Sequence, residues 1–273
     1  MKESLWKSIL SVRQNSPLVH NITNYVVMNN TANALLAVGA SPIMAHAHAE
    51  MEEMVSISHA LVINIGTLDE YWVKSMHLAA AKAQQLGKPW VLDPVGAGAS
   101  ALRNETVAAL LVYKPTVIRG NASEIMALAN VSKEKTKGVD STQESTEAVA
   151  AAKWLNETTG SIVCISGETD IIISGNETIL VKNGHVLMQK VTGLGCTATA
   201  LIGAFVGNEP GNPFYATAAA MALMSIAGEM AFDRAEGPGT LQLHLLDKLY
   251  SITETEFYGH LEAELQNEQA LSL

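Results

Sequence analysis

The sequence predicts an α/β fold: a mainly parallel sheet with helices over both faces and an antiparallel meander along one edge. Short β-rich runs ending in glycine, proline or a polar residue alternate with longer helical patterns, the signature of βαβ units. After Ser166 that alternation gives way to short runs separated by hairpin turn signals. A chain of 273 residues, 48% hydrophobic and 16% charged, can bury one large core, so a single domain over 1–273 is expected.

The candidate strands are Ser41–Ala45, Ala60–Ile65, Trp90–Pro94, Thr116–Arg119 and Ser161–Ser166. Ahead of them, His20-Asn21-Ile22-Thr23-Asn24 leads into a helical pattern containing Asn29, Asn30 and Asn33. Between the strands, Leu68–Leu86 sets Trp72, Met76 and Ala79 on one face, and Thr142–Asn156 turns Val149 and Leu155 inward. The lysine-bearing stretch 130–140 reads as a solvated surface loop. Three further short strands, Ile171–Ser174, Thr178–Val181 and His185–Lys190, are separated by Ser174-Gly175-Asn176 and Asn183-Gly184 and form the expected meander. Helices with small residues suited to close packing follow over Gly195–Ala204, Ala216–Ala231 and Leu241–Tyr250. The Glu- and Gln-rich tail reads as a surface helix or frayed end.

Composition narrows the functional classes. A net charge of −10 and a pI near 5.2 argue against nucleic acid, which needs concentrated positive charge. The opening MKESLWKSILSVRQNSP has a short apolar stretch broken by Arg13 and does not read as a signal peptide. Ala216–Ala231, interrupted by Ser225 and Glu229, is too short for a membrane span, so no membrane partner is expected. Cys164 and Cys196 form neither a zinc pattern nor a disulfide framework; free thiols in a cytoplasmic protein are the simplest expectation.

The strongest local signal is Val191-Thr192-Gly193-Leu194-Gly195-Cys196, where glycines precede a helix of small and apolar residues. Glycine lets backbone approach a ligand, and free N–H groups at a helix start attract an anion. A tight turn with Cys196 packed as a small hydrophobe is the bland alternative, equally favoured by these residues alone. Arg119-Gly120-Asn121-Ala122-Ser123-Glu124 follows a strand and opens a helix. Asn121 and Glu124 share the first turn, suiting either a hydrated magnesium beside a phosphate on Arg119 or a simple capping box. Asp93 closes an apolar strand at the edge where open α/β sheets gather ligands, or serves as a turn residue. Ser166-Gly167-Glu168-Thr169-Asp170 stands where a nucleotide could be met, whereas Cys164 reads as core. The amides following His20 are poor fillers of an apolar segment unless paired: they orient a neutral ligand or join subunits, or Asn24 caps a helix. His46 and His48 lack a third ligand and read as surface or hydrogen-bonding residues.

Taken in order, Val19-His20-Asn21-Ile22-Thr23-Asn24, Ser41-Pro42-Ile43-Met44-Ala45, Leu92-Asp93-Pro94-Val95-Gly96, Arg119 to Glu124 and Gly193-Leu194-Gly195-Cys196 resemble the hydroxyethylthiazole kinases over nearly the whole chain. The resemblance implies a ribokinase-like three-layer sandwich and transfer of the ATP γ-phosphoryl group to 4-methyl-5-(2-hydroxyethyl)thiazole, a thiamin precursor. It implies ATP contacts at Arg119 and Ser166, with Gly195 at the phosphate-binding helix start, magnesium (Mg2+) organised by Glu124 and Asp93, and substrate contacts at Gly193 and the backbone N–H of Met44, with Asn24 beside them. Cys196 stands where ribokinase-like enzymes usually carry an aspartate base, as it does throughout the resembled family. The implied assembly is a homotrimer with sites between protomers, in place of the β-stranded lid of many ribokinase-like sugar kinases. Competing readings are a kinase for another vitamin-like alcohol such as a hydroxymethylpyrimidine or pyridoxal, a ribokinase-like nucleotide-dependent dehydratase, and a non-catalytic nucleotide-binding regulator.

Overall fold

The computed structural model describes residues 1–133 and 144–267. In chain order its strands are β1 Leu18–Ile22, β2 Ser41–Ile43, β3 Ala60–Asn64, β4 Trp90–Asp93, β5 Val117–Asn121, β6 Ile162–Ser166, β7 Asp170–Ser174, β8 Glu177–Val181 and β9 Ala263–Asn267. The helices are α1 Lys2–Asn15, α2 Met28–Ala37, α3 Met51–Ile57, α4 Glu70–Leu86, α5 Ala101–Leu111, α6 Ala122–Lys133, α7 Glu144–Thr159, α8 Leu194–Asn208, α9 Pro213–Phe232, α10 Pro238–Ser251 and α11 Glu254–His260. All nine strands join one sheet in the order β2-β1-β3-β4-β5-β6-β7-β8-β9. Pairing is parallel from β2 to β6 and antiparallel from β6 to β9.

The two-residue period of a strand divides the core. On one face Val19, Val62, Val91, Val117 and Cys164 pack against α1, α2, α8 and α9. On the other, Ile22, Leu61, Ile63, Leu92 and Ile118 pack against α3, α4, α6 and α7. Both strand faces are apolar because both are covered, as a parallel sheet requires. Trp72, Met76 and Ala79 of α4 are buried as their spacing predicts; Leu155 of α7 is buried and Val149 partly so. The apolar helix α9 is long enough to cross a membrane, but 83% of its apolar window lies inside the protein, where it is a core helix.

The strand elements depart from expectation at both ends of the chain. Leu18–Ile22 is a strand, paired to β2 and β3, where the sequence suggested the approach to a helix. His20 and Asn21 masked it, being polar residues in a run that is buried from Val19 to Ile22. At the meander, Val186–Lys190 is a 3-10 turn and not a strand, started by His185, whose Nδ1 accepts a hydrogen bond from the Leu187 N–H at 3.1 Å. The place expected for that strand is taken by β9 from the tail, where a surface helix or frayed end was expected; its Ala263 stands opposite Val181. Helices α1, α3, α5 and α11 were not anticipated. The lysine-bearing stretch expected as a surface loop begins inside α6, and its part from 134 to 140 lies outside the described residues, as do the start of the helix expected from Thr142 and the last residues of the tail.

Candidate active site

Along the carboxyl edge of the sheet, the face toward α8 and α9 changes from apolar to polar in one step. Two residues beyond the core residues Val62, Val91, Val117 and Cys164 stand Asn64, Asp93, Arg119 and Ser166. Strand periodicity places each on the same face as the core residue before it, directly under α8. Apolar residues hold the helix against the sheet, and polar ones meet its N-terminus.

That N-terminus is shaped by two glycines. Gly193 adopts φ +81, a left-handed conformation costly for residues with a Cβ, and a Cβ there would lie 2.3 Å from Val27. At Gly195 a Cβ would lie 2.7 Å from the Arg119 guanidinium, so glycine is what lets that cation sit against the first turn. No side chain caps α8. Free N–H groups and a guanidinium therefore converge, and an anion satisfies both. Arg119 is buried and donates to Ser166 Oγ at 2.6 Å. A cleft of about 990 Å³ at this corner is lined by Arg119, Ser166 and Asp170 together with the apolar Met188, Met221 and Met224. A polyanion with a flat apolar end, such as a nucleotide, fits that polarity.

Asp93 is fully buried beside the cleft. Its Oδ2 accepts hydrogen bonds from Asn64 Nδ2 at 2.7 Å and Thr199 Oγ1 at 2.8 Å, while Oδ1 has no protein partner. Burial pushes its pKa up to about 6; the charge of Arg119 and the two hydrogen bonds pull it down, and Glu124 pushes it further up. Asp93 is thus held by side chains and is not the turn residue of the alternative reading. Asn64 was not singled out in the sequence, although its place two residues after Val62 at a strand end was a usable signal. Its Oδ1 accepts from Asn24 Nδ2 at 2.9 Å and from the Gly66 N–H at 2.9 Å, which fixes the amide so that its N–H must face Asp93. Asn24 Nδ2 also reaches Cys196 Sγ at 3.5 Å. The N-cap of α2 is Val27, so Asn24 is no helix cap; it links Cys196 to the Asn64–Asp93 pair.

Cys196 is partly buried in the first turn of α8. A helix start favours a thiolate, but burial first, then the Asp93 charge, push the thiol up to about 11, against the Asn64, Arg119 and Asn24 contributions. At neutral pH it is a thiol. Cys164 is fully buried and its pKa is raised by burial, as befits core.

Glu124 realises the capping box: Asn121 N–H donates to its Oε2 at 2.9 Å and Glu124 N–H to Asn121 Oδ1 at 2.9 Å. Its Oε1 accepts from Gly96 N–H at 3.0 Å, which draws the turn after Asp93 toward α6. Met44 follows β2 at the same edge of the sheet. Asn30 serves inside the chain, donating to Thr197 at 2.9 Å and accepting from Gln242 at 2.9 Å, while Asn29 and Asn33 bond each other. His46 stacks on Trp72 and His48 on Tyr71. Asp170, buried in the cleft wall, accepts from Gly167 N–H and Ser225 Oγ, and burial raises its pKa to about 6.

A mainly parallel sheet with an antiparallel edge and an uncapped helix start over its carboxyl edge is the fold of the ribokinase-like class. Pyridoxal kinase from Staphylococcus aureus, in a structure with AMP-PCP and pyridoxal, shares the fold with a TM-score of 0.62 at 14% identity, covering 92% of this chain and 99% of that one. Within the class, this chain belongs to the hydroxyethylthiazole kinase family, whose model matches residues 9–255. It is 57% identical over 260 residues to hydroxyethylthiazole kinase of Syntrophus aciditrophicus, covering 95% of this chain and 96% of the relative. It is 51% identical over 267 residues to that of Vibrio parahaemolyticus, covering 97% and 99%. The structure of hydroxyethylthiazole kinase from Pyrococcus horikoshii superposes with a TM-score of 0.90 at 42% identity, covering 98% of this chain and 100% of that one.

Proposed function

We propose that the protein transfers the γ-phosphoryl group of ATP to the hydroxyl of 4-methyl-5-(2-hydroxyethyl)thiazole, as a single domain over 1–273. The observation that carries this is the meeting of an uncapped helix start and Arg119 with a thiol-bearing pocket whose Cys196 is linked through Asn24 and Asn64 to a buried carboxylate. ATP phosphates lie at Arg119, Ser166 and Gly195, and the alcohol between Gly193, Cys196, Asn24 and the Met44 backbone.

Mg2+ fits the residues at this corner. Asp93 Oδ1 is a buried acceptor with no protein partner, and Glu124 is near enough to raise the Asp93 pKa. Among the described residues no cluster of three or more His, Cys, Asp or Glu could enclose a metal. Magnesium needs none, since it keeps waters and takes one or two carboxylates together with substrate phosphates. Asp93 and Glu124 would hold it, and bound there it supplies positive charge to the β- and γ-phosphate oxygens.

In the transfer, the alcohol oxygen forms a bond to the γ-phosphorus as the bond to the β-phosphate oxygen breaks. Arg119 and the α8 N–H groups stabilise the charge on the moving group. Cys196, protonated at neutral pH, orients the hydroxyl more than it removes a proton, which suits a loose transition state in which that proton leaves late, to an oxygen of the transferred phosphoryl group.

The reading includes a homotrimer with sites between protomers in the cytoplasm, without nucleic acid or membrane. Tyr25 and Val26, 59% and 63% exposed immediately after Asn24, support an apolar contact beside the site. The deciding assay is thiazole-dependent ADP formation with identification of the phosphorylated product, run beside hydroxymethylpyrimidine and pyridoxal. Thiazole phosphate as the preferred product is expected. No transfer to the thiazole, or faster transfer to another alcohol, overturns the reading.

A further inference from the structure

The substrate side of the site contains a segment that leaves the sheet almost at once. β2 is the outermost strand, pairs only with β1 and ends at Ile43, so the backbone from Met44 onward has lost the ladder that would fix it. It is nevertheless pinned at successive residues by side chains. Ala45 C=O meets His20 Nε2 at 2.8 Å, and His46 C=O accepts from Ser75 Oγ at 2.7 Å. The His48 N–H donates to the Tyr71 hydroxyl at 3.2 Å, and the His48 ring stacks on Tyr71 with centroids 3.8 Å apart. Ser75 and Tyr71 belong to α4. His20 belongs to β1, which leads to Asn24 and the Cys196 thiol; beyond the ladder that ends with His20 opposite Ile43, its side-chain bond carries that tie on to Ala45.

We propose that His20 is a positioning residue for the acceptor alcohol: by donating from Nε2 to the Ala45 carbonyl it sets where the Met44 backbone N–H stands relative to Cys196. The inference rests on the proposed thiazole kinase reading, which puts the alcohol between those groups. A carbonyl only accepts, so the proton must be on Nε2 and the lone pair on Nδ1, which is buried without a partner. Burial keeps the fully enclosed ring neutral, outweighing the Ala45 bond and the Glu50 charge that favour protonation. His20 touches neither nucleotide nor alcohol; it acts through the segment it holds. A neutral donor suits this fully buried position, where a charged ring would lose more solvation than the Glu50 charge restores.

The test separates the donor atom from the filling of space. A glutamine side chain carries an N–H where imidazole has Nε2, whereas an asparagine amide reaches only to the Nδ1 position. His20→Gln, His20→Asn and His20→Leu are compared with wild type for kcat, KM for hydroxyethylthiazole, KM for ATP and Tm. The Asn and Leu variants are expected to raise the alcohol KM ~10-fold while changing the ATP KM less than ~2-fold, and His20→Gln to stay within ~3-fold of wild type on both. Equal alcohol KM values for the Gln and Asn variants, or a rise in both KM values that follows the fall in Tm, would overturn the assignment in favour of a merely structural histidine. If the Asn and Leu variants do not fold, Ser75→Ala, which frees the next carbonyl of the same segment, is expected to show the same one-sided rise; an unchanged alcohol KM there overturns it too. Wild-type enzyme without thiazole phosphorylation refutes the proposed activity and this inference with it, while active wild type with indifferent His20 variants refutes the inference alone.

Discussion

Cys196 stands where a base would be expected, in surroundings that favour its protonated form. With the thiol pushed up to about 11 by burial and the Asp93 charge, the role proposed for it is placement of the hydroxyl. Cys196→Ala is therefore expected to fold, bind ATP and keep a reduced but measurable single-turnover rate, the loss staying within the ~10²–10⁴-fold that general-base assistance supplies. A wild-type rate would remove Cys196 from the chemical step, and no detectable transfer would raise its role above placement. Glu124 has two duties that one substitution separates by readout. Its carboxylate closes the α6 capping box and holds Gly96, so Glu124→Gln should lower stability by about 1 kcal/mol through the weakened cap. It also removes a negative charge at the proposed magnesium site, and turnover across a magnesium titration should shift to higher concentration. A stability loss with unchanged magnesium dependence would leave Glu124 a cap and nothing more.

Among the elements, β9 is the one whose loss is easiest to read. It pairs with β8 from Glu177 opposite Asn267 to Val181 opposite Ala263, but most of its residues are exposed, so it contributes ladder bonds more than buried area. The Lys182–Glu264 ion pair at 3.1 Å is about half exposed and adds little. Truncation before Ala263 should cost about 1 kcal/mol, seen as about 2–4 °C in Tm. Its larger effect should be association, because β8 would then present an unpaired edge to other chains. Light scattering of the truncated protein should rise with concentration where the full chain does not; equal scattering would show that the β8 edge is protected by other means.

For the whole molecule, the buried carboxyls set a pH dependence with a definite sign. Asp93 and Asp170 both have folded pKa values raised from 3.8 to about 6 by burial, so between those values the folded protein binds more protons than the unfolded chain. The stability they contribute is fully present below about pH 4 and is lost as pH rises to about 6. Each accounts for on the order of 2–3 kcal/mol at most. Asp170→Asn, measured by urea unfolding from pH 4 to 7, should roughly halve the slope in that window, and an unchanged slope would mean that Asp170 does not titrate there. Assembly belongs to this scale as well. Sedimentation should report three chains, and a fully active monomer at assay concentration would contradict a site shared between protomers.

The parallel strand at Ser41, those from Ala60 onward, the helices α8, α9 and α10 and the clustering of Asp93, Arg119, Ser166 and Cys196 were legible in the sequence. Their signals are local: a two-residue or helical period, a polar residue ending an apolar run, glycines ahead of a helix. Order along the chain was enough to recognise the family. What local pattern could not decide was which partner each polar residue would find. Asn64 lies 29 residues from Asp93, Thr199 lies 106 from it, and Asn24 lies 172 from Cys196. The choice between capping box and metal shell at Glu124, the direction of the Cys196 pKa and the burial of His20 all depend on neighbours brought in by the sheet. The first and last strands along the chain failed for the same reason. Leu18–Ile22 is a strand because it is covered on both faces, and the tail is one because β8 needed a partner, and neither condition is written in the residues of the strand itself.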